Sequence, residues 1–267
     1  MKVAVDNVDA AFEEGMITGI IGHTGSGKST IAQMINGLLR PSAGNVIVGG
    51  RDIWEKPKEI RNVRFEAGLV FQYPEYQLFE ETVKKDIAFG PSNMGLPTEE
   101  TETRVYEAMD FVGLDRSFAE KSPFDLSGGQ KRRVAIAGII AMRPRILILD
   151  EPAAGLDPRG RDEILSRICE YRSKYGASVV MISHSMEDMA RYCDRILVMN
   201  GGKVFMCGTC EEIFSEAERL ESVGLTVPQI TKLMLELKRR GFDVNTSVYT
   251  VDSAEAEIKR LLAGGAK

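Results

Sequence analysis

Three short stretches of this 267-residue chain carry the residue types from which phosphate chemistry is built. The first, Gly22, His23, Thr24, Gly25, Ser26, Gly27, Lys28 and Ser29 with Thr30 behind it, fits the spacing GxxxxGK[ST]. Glycines let consecutive backbone N–H groups turn inward on a phosphate, and a helix starting at Lys28 adds its dipole. Lys28 can then reach the terminal phosphates while Ser29 offers a hydroxyl to Mg²⁺. A chance glycine turn would need no strand before it and no helix after it; the apolar run Met16 to Ile21 and a helical repeat flank this one. His23 lies inside the loop, where its backbone is what matters, and its side chain is assigned no catalytic role.

The second stretch, Ile146-Leu-Ile-Leu-Asp150-Glu151, places two adjacent carboxylates at the end of an apolar run. In open α/β sheets ligands bind at that end of the strands. Asp150 can hold the shell of a Mg²⁺ ion, and Glu151, pointing the other way, can polarise a water in line with the leaving phosphate. An apolar run ending in Asp-Glu is weak evidence alone and strong evidence beside the glycine loop.

The third is Leu126-Ser127-Gly128-Gly129-Gln130. Ser127 can cap the helix that follows, and the N–H groups of Gly128 and Gly129 can hold a phosphate oxygen. A Ser-Gly-Gly turn is common in itself. Two terminal-phosphate sites so far apart in one chain imply that the second serves a nucleotide held by another subunit.

These residues need a scaffold, and the hydrophobic pattern predicts one. Short unalternated apolar runs at Met16 to Ile21, Leu69 to Phe71, Ile146 to Leu149, Val179 to Ile182 and Ile196 to Met199 read as strands buried on both faces of a largely parallel sheet. Ile31, Met34, Ile35 and Leu38 recur at helical spacing and close before Pro41. From about Glu80 to Lys131 helical segments dominate, Glu99 to Val112 among them, and the long apolar helix Val134 to Met142 returns to the core. Beyond Phe214 a helix near Pro228, stopped by Gly241, and another from Ser253 to Leu262 form a small appended unit.

Composition narrows the function classes. The 34 basic and 39 acidic residues are mixed along the chain, leaving a net charge of −5 and no electrostatic footprint for nucleic acid. Asp6, Asp9, Glu13 and Glu14 interrupt the first residues where a secretory signal needs an apolar stretch, so the expected compartment is the cytoplasm. The longest apolar runs fall short of the roughly 20 residues of a membrane-spanning helix, and a membrane role must come through partner chains. Cys207 and Cys210 form a lone CxxC; structural zinc needs four ligands, so the plain reading is a turn between a short strand and the next helix.

Taken in order, the glycine loop, Gln72, LSGGQ, Asp150-Glu151 and His184 resemble an ATP-binding-cassette nucleotide-binding domain over roughly residues 3 to 213. The resemblance implies a P-loop NTPase fold: an α/β sheet core with an antiparallel N-terminal β part and a helical subdomain at about 80–142. It implies ATP and Mg²⁺ as ligands, and two domains stacked head to tail with ATP between the loop of one and the Ser127, Gly128, Gly129 and Gln130 signature of the other. Gln72 resembles the glutamine that touches Mg²⁺ and signals to membrane subunits. Gly155-Leu156-Asp157 resembles the loop that communicates across the dimer. His184 resembles the switch histidine at the γ-phosphate; a lone histidine is more often structural, but this one ends a run on the sheet edge shared with Asp150.

Phe71 to Val83, Asp86 to Pro91 and Lys121 to Leu126 are similar to energy-coupling factor and cobalt-type ATPases. That resemblance implies an importer of vitamins or transition-metal ions, peripheral at the cytoplasmic face, with a second ATPase subunit, a transmembrane scaffold and a substrate-binding membrane protein as partners. Phe71, Tyr73, Tyr76 and Phe79 are candidates to grip a helix of the scaffold; for Phe71 a place in the core is the better expectation. Residues 214–267, with Val227 to Lys232, resemble a C-terminal extension contributing to dimer contact. Homodimer and heterodimer both stay open. The family's first strand with its adenine-stacking aromatic is not among these residues, which implies weaker nucleotide binding, on the order of 1 kcal/mol. Ala153 stands where threonine or serine is common. Repair and translation proteins of the same superfamily resemble the core, but their coiled coils, zinc sites or second cassettes do not fit here. A switch that holds ATP without turnover is disfavoured by Glu151.

Overall fold

The computed structural model describes residues 3–264. In chain order its strands are β1 (Ile17–Gly22), β2 (Ile47–Val48), β3 (Arg51–Asp52), β4 (Ala67–Val70), β5 (Ile146–Asp150), β6 (Ser178–Ile182), β7 (Arg195–Asn200) and β8 (Lys203–Thr209). The chain divides into two compact units. One holds the residues up to Ala11, Ile17–Lys28 and everything from Ser183 onward; the other holds Phe12–Met16 and Ser29–Ile182.

In the second unit β4, β5 and β6 run parallel, with Ala67 opposite Ile146 and Asp150 opposite Ile182. Leu147, Ile148 and Leu149 are fully buried, as a parallel strand covered on both faces requires. Helices Val83–Asn93, Thr98–Phe111 and Gly128–Ile140 pack on one another. Helix Pro158–Tyr175 buries Ile164, Leu165, Ile168 and Tyr171, and the Tyr171 hydroxyl donates to the Pro144 carbonyl at 2.8 Å. β2 and β3 form a short antiparallel ladder.

In the first unit β1 is parallel to β7, with Gly22 opposite Met199, and β8 returns antiparallel to β7. The Asp194 carboxylate accepts from the Ile17 N–H at 2.8 Å, fixing where β1 begins. Helices Gln229–Arg239 and Val251–Gly264 enclose a small core of their own, Met234, Val244, Val248 and Ala254, with Ile230, Leu237, Ile258 and Leu261 packed against it.

Helix Lys28–Ile35 stops short of the expected Leu38. Gly37 takes φ +72° and the Leu38 N–H turns back to the Gln33 carbonyl at 2.8 Å, a left-handed cap that leaves Leu38 exposed instead of on the apolar stripe. Cys207 lies within β8, and Cys210 opens helix Cys210–Ser215 behind the Thr209 cap. The Cys210 thiol donates to the Cys193 carbonyl at 3.0 Å, and burial pushes it up to about 11.

Candidate functional site

The glycine loop leaves the end of β1 and runs directly into helix Lys28–Ile35. Gly22 has φ +152°, and a Cβ there would lie 2.3 Å from the Met199 carbonyl oxygen, so only glycine passes. At Gly27, φ +101°, the obstacle would be the Ala4 carbonyl at 2.5 Å. Lys28, buried to 7% exposure, donates from Nζ to the carbonyls of Gly22 at 2.7 Å and His23 at 2.8 Å, closing the loop into a ring. The Gly202 N–H, in the β7–β8 turn, donates to the Ser26 carbonyl at 3.2 Å and braces it. Ser26 Oγ is buried and finds no hydrogen-bond partner among the described residues. Thr24, Gly25 and Ser29 are exposed and Thr30 half-buried. The His23 ring donates to the Val223 carbonyl, a contact that no local pattern reveals because the partners are 200 positions apart.

The second unit gathers the acid pair and the glutamine at one sheet edge. Gln72 follows β4 by two residues and is exposed; Asp150 ends β5, and the Glu151 N–H extends the ladder to the Ile182 carbonyl at 2.9 Å. Asp150 and Glu151 are each 8% exposed. Glu151 takes φ +53°, a left-handed backbone that costs a non-glycine residue about 1–3 kcal/mol. Its side chain thereby leaves the alternation of the strand.

Ser127 caps helix Gly128–Ile140 with a reciprocal pair: its Oγ accepts from the Gln130 N–H at 3.4 Å, and Gln130 Oε1 accepts from the Ser127 N–H at 2.9 Å. Asp157 caps helix Pro158–Tyr175, accepting from the Gly160 N–H at 2.7 Å. The two helix starts share a cleft of about 240 Å³ lined by Gly129, Arg132, Gly155, Leu156, Asp157 and Gly160 among others. The helix starts at Ser127 and Asp157 are thus brought together within one unit. Sequence reasoning missed the residue at its floor: Arg132, 4% exposed, grips Glu75 through two bonds of 3.1 and 2.9 Å and also donates to the Ala154 carbonyl. A separation of 57 positions hides that pair from any local pattern.

In the first unit His184 is exposed, two residues beyond β6. Its neighbours are pinned: Ser183 Oγ accepts from the Ser185 N–H at 3.1 Å, and Ser185 Oγ accepts from the Asp188 N–H at 3.1 Å to cap helix Met186–Tyr192.

An apolar groove of about 370 Å³ opens in the second unit, lined by Phe71, Leu78, Phe79, Phe89, Ala135 and Ile139 among others. Phe71 is half-buried there, while Tyr73 and Tyr76 are exposed outside it. Tyr73 takes φ +55° just before the turn Pro74–Gln77.

A family model described as ABC transporter matches residues 5–154. The energy-coupling factor transporter ATP-binding protein EcfA2 of Caldanaerobacter subterraneus subsp. tengcongensis is 57% identical over 262 residues, covering 98% of this chain and 92% of that one. This chain belongs to the ABC transporter family, among its energy-coupling factor ATP-binding proteins. The EcfA2 protein of Clostridium acetobutylicum is 53% identical over the same share of each chain. Among solved structures, cbiO1 from Clostridium perfringens, described as part of the ABC transporter complex cbiONQ, superposes with a TM-score of 0.74 at 38% identity, covering 89% of this chain and 90% of that one. A dimeric ATP-binding cassette in a post-hydrolysis state bound to ADP and phosphate superposes with a TM-score of 0.71 at 29% identity, covering 78% and 90%. The domain of this family binds ATP.

The donor chemistry of the ABC protein suits that ligand, and it would suit Mg²⁺ beside it. Left-handed glycines around the unpartnered Ser26 hydroxyl form a cradle for phosphate oxygens. Ser29, Gln72 and Asp150 are all oxygen donors, the kind that a small hard cation such as Mg²⁺ prefers.

Proposed function

We propose that this chain is the ATP-hydrolysing subunit of an energy-coupling factor type importer for a vitamin or a transition-metal ion. It would work at the cytoplasmic face of the membrane through partner membrane proteins. The observation that carries the reading is the pairing, in one chain, of a phosphate loop closed by Lys28 with a second anion-ready helix start at Ser127 that shares its cleft with Asp157. A site of the second kind is complete only when another subunit supplies nucleotide to it.

In this reading Gly22, His23, Thr24, Gly25, Ser26, Gly27 and Thr30 wrap the phosphates with backbone amides, and Lys28 neutralises the terminal ones. Ser29, Gln72 and Asp150 would hold Mg²⁺, which supplies further charge neutralisation when bound. Glu151 polarises the attacking water, and His184 bonds the γ-phosphate and reports its presence. Ser127, Gly128, Gly129 and Gln130 complete the nucleotide site of a second ATPase subunit, and Asp157 carries the signal between the two. Catalysis is positional and electrostatic, because phosphoryl transfer asks little covalent chemistry of the protein.

No helix among the described residues is long and apolar enough to cross a membrane, so transport requires a transmembrane scaffold and a substrate-binding membrane protein. The groove of Phe71, Phe79 and Phe89 is of the apolar kind that accepts a helix of such a scaffold. Residues 1–213 form the nucleotide-binding domain in this proposal, with the helical part at about 80–142, and residues 214–267 form a dimer-contact domain whose small core around Met234 supports its integrity.

The test is uptake of labelled vitamins and of nickel or cobalt ions by cells whose only copy of the chain carries Lys28→Ala. Loss of uptake of at least one class, with integral membrane chains co-purifying with the unaltered subunit, is the expected result. Undiminished uptake of every class and no membrane chain in the purified assembly would refute it.

A further inference from the structure

His23 sits in the phosphate loop with its side chain exposed and its carbonyl already held, accepting from Lys28 Nζ at 2.8 Å and from the Ser26 N–H at 3.1 Å. Its ring meets the Val223 carbonyl, which belongs to the same unit. A carbonyl has no proton to give, so Nε2 carries the proton and the ring is the donor.

The turn that supplies the acceptor is closed by its own bonds. Helix Ala217–Ser222 ends in Val223 and a left-handed Gly224, φ +67°. The Gly224 N–H donates to the Glu221 carbonyl at 2.8 Å and the Leu225 N–H to the Leu220 carbonyl at 2.9 Å, the paired bonds of a Schellman cap. Leu220 and Leu225, at the two ends of that cap, are both buried. Gly224 also admits the ring: a Cβ there would lie 2.9 Å from His23 Nε2 and 3.1 Å from Cε1. Past the buried Val227, the Gln229 N–H donates to a Glu187 carboxylate oxygen at 3.2 Å. Glu187 stands in the first turn of helix Met186–Tyr192, just beyond His184. The segment from Val223 to Gln229 is therefore a strap, fastened to the phosphate loop at one end and to the helix behind His184 at the other.

We infer that His23 is a positioning residue whose ring ties the phosphate loop to this strap, so that the chain beyond Phe214 sets how tightly the loop holds ATP. This rests on the reading of the loop as the nucleotide site. Backbone amides bind phosphate well when they are already turned inward, because a loop that must order itself on binding gives up affinity. Lys28 orders the loop from within, using the charge that the phosphates also attract. His23 orders it from outside, with a group that ATP does not need. Loss of such a tie weakens ground state and transition state alike, and so raises KM while leaving kcat in place.

The experiment measures ATP affinity of the full chain by calorimetric titration with Mg²⁺, KM and kcat by phosphate release from the native assembly, and a melting curve for each variant. The loss of one neutral hydrogen bond corresponds to about fivefold, so His23→Ala is expected to bind ATP about fivefold more weakly, with KM raised equally and kcat within about twofold. His23→Gln, whose amide nitrogen donates in place of Nε2, stays within about twofold of the unaltered chain. Gly224→Ala drives a methyl group against the ring and weakens binding as His23→Ala does. The double variant is no weaker than either single one, because both break the same bond. Should Gly224→Ala fail to fold, the two His23 variants decide alone. Unaltered affinity in His23→Ala, an equal loss in His23→Gln, a fall in kcat at constant KM, or full additivity in the double variant overturns the inference alone. No ATP binding by the unaltered chain overturns the reading of the loop and this inference with it.

Discussion

Lys28 Nζ donates to the Gly22 carbonyl at 2.7 Å, so the residue that ends the phosphate loop also ties down its beginning. Substituting Lys28→Ala removes both the charge aimed at the phosphates and this tie. A charge-assisted hydrogen bond contributes about 1.5–3 kcal/mol, and loss of one to phosphate together with loss of loop order is expected to weaken ATP binding by about 100-fold. Titration with a fluorescent ATP analogue measures it; an affinity within about threefold of the unaltered chain would separate Lys28 from nucleotide binding.

Gly22 allows a test of the loop that does not touch a charge. Its φ of +152° and the 2.3 Å approach of a built Cβ to the Met199 carbonyl leave no room for a methyl group, because the obstacle is backbone. Gly22→Ala should cost about 2 kcal/mol or more of stability. Urea unfolding followed by circular dichroism reports the shift in midpoint, and an unmoved midpoint would mean that β1 and β7 can part at no cost.

The sequence made the chemistry easiest to see where it is local. Loop, acid pair and signature are each continuous stretches, and the turn and cap rules that read Ser127 as a helix start apply to its bond with Gln130. Strands β1 and β4 to β7 announced themselves as unbroken apolar runs because burial on both faces removes polar alternation. β2 and β3, two residues each, are too short to leave a pattern. Leu38 misled the helical spacing because a left-handed Gly37 turns the chain before the stripe is complete. The Glu75–Arg132 fork and the His23–Val223 contact join distant segments, and no periodicity encodes such a pair.

Glu163 offers a pH-dependent reading of the second unit. Hydrogen bonds from Arg133 at 2.8 and 3.2 Å, aided by Arg167 at 3.1 Å, hold its carboxyl down at about 2 against an ordinary 4.5. A carboxylate depressed on folding stabilises the fold above its unfolded value, and that contribution is lost as pH falls from about 4.5 through about 2. With 38% of the side chain exposed, solvent screening limits the contribution to no more than ~1 kcal/mol. Glu163→Gln should therefore lower the urea midpoint at neutral pH and converge on the unaltered chain near the acid end. A midpoint difference that stays constant over that range would show the pairing to be immaterial.

The most direct test of the account concerns Glu151, whose left-handed backbone, φ +53°, is strain retained at the end of β5. Phosphate release is measured for the unaltered chain and for Glu151→Gln at saturating ATP and Mg²⁺, with size-exclusion chromatography of the same samples. Turnover in Glu151→Gln is expected to be lower by at least about 100-fold, equivalent to about 2.7 kcal/mol in the barrier, with ATP-dependent dimers retained. Phosphate release at the unaltered rate from Glu151→Gln would contradict it.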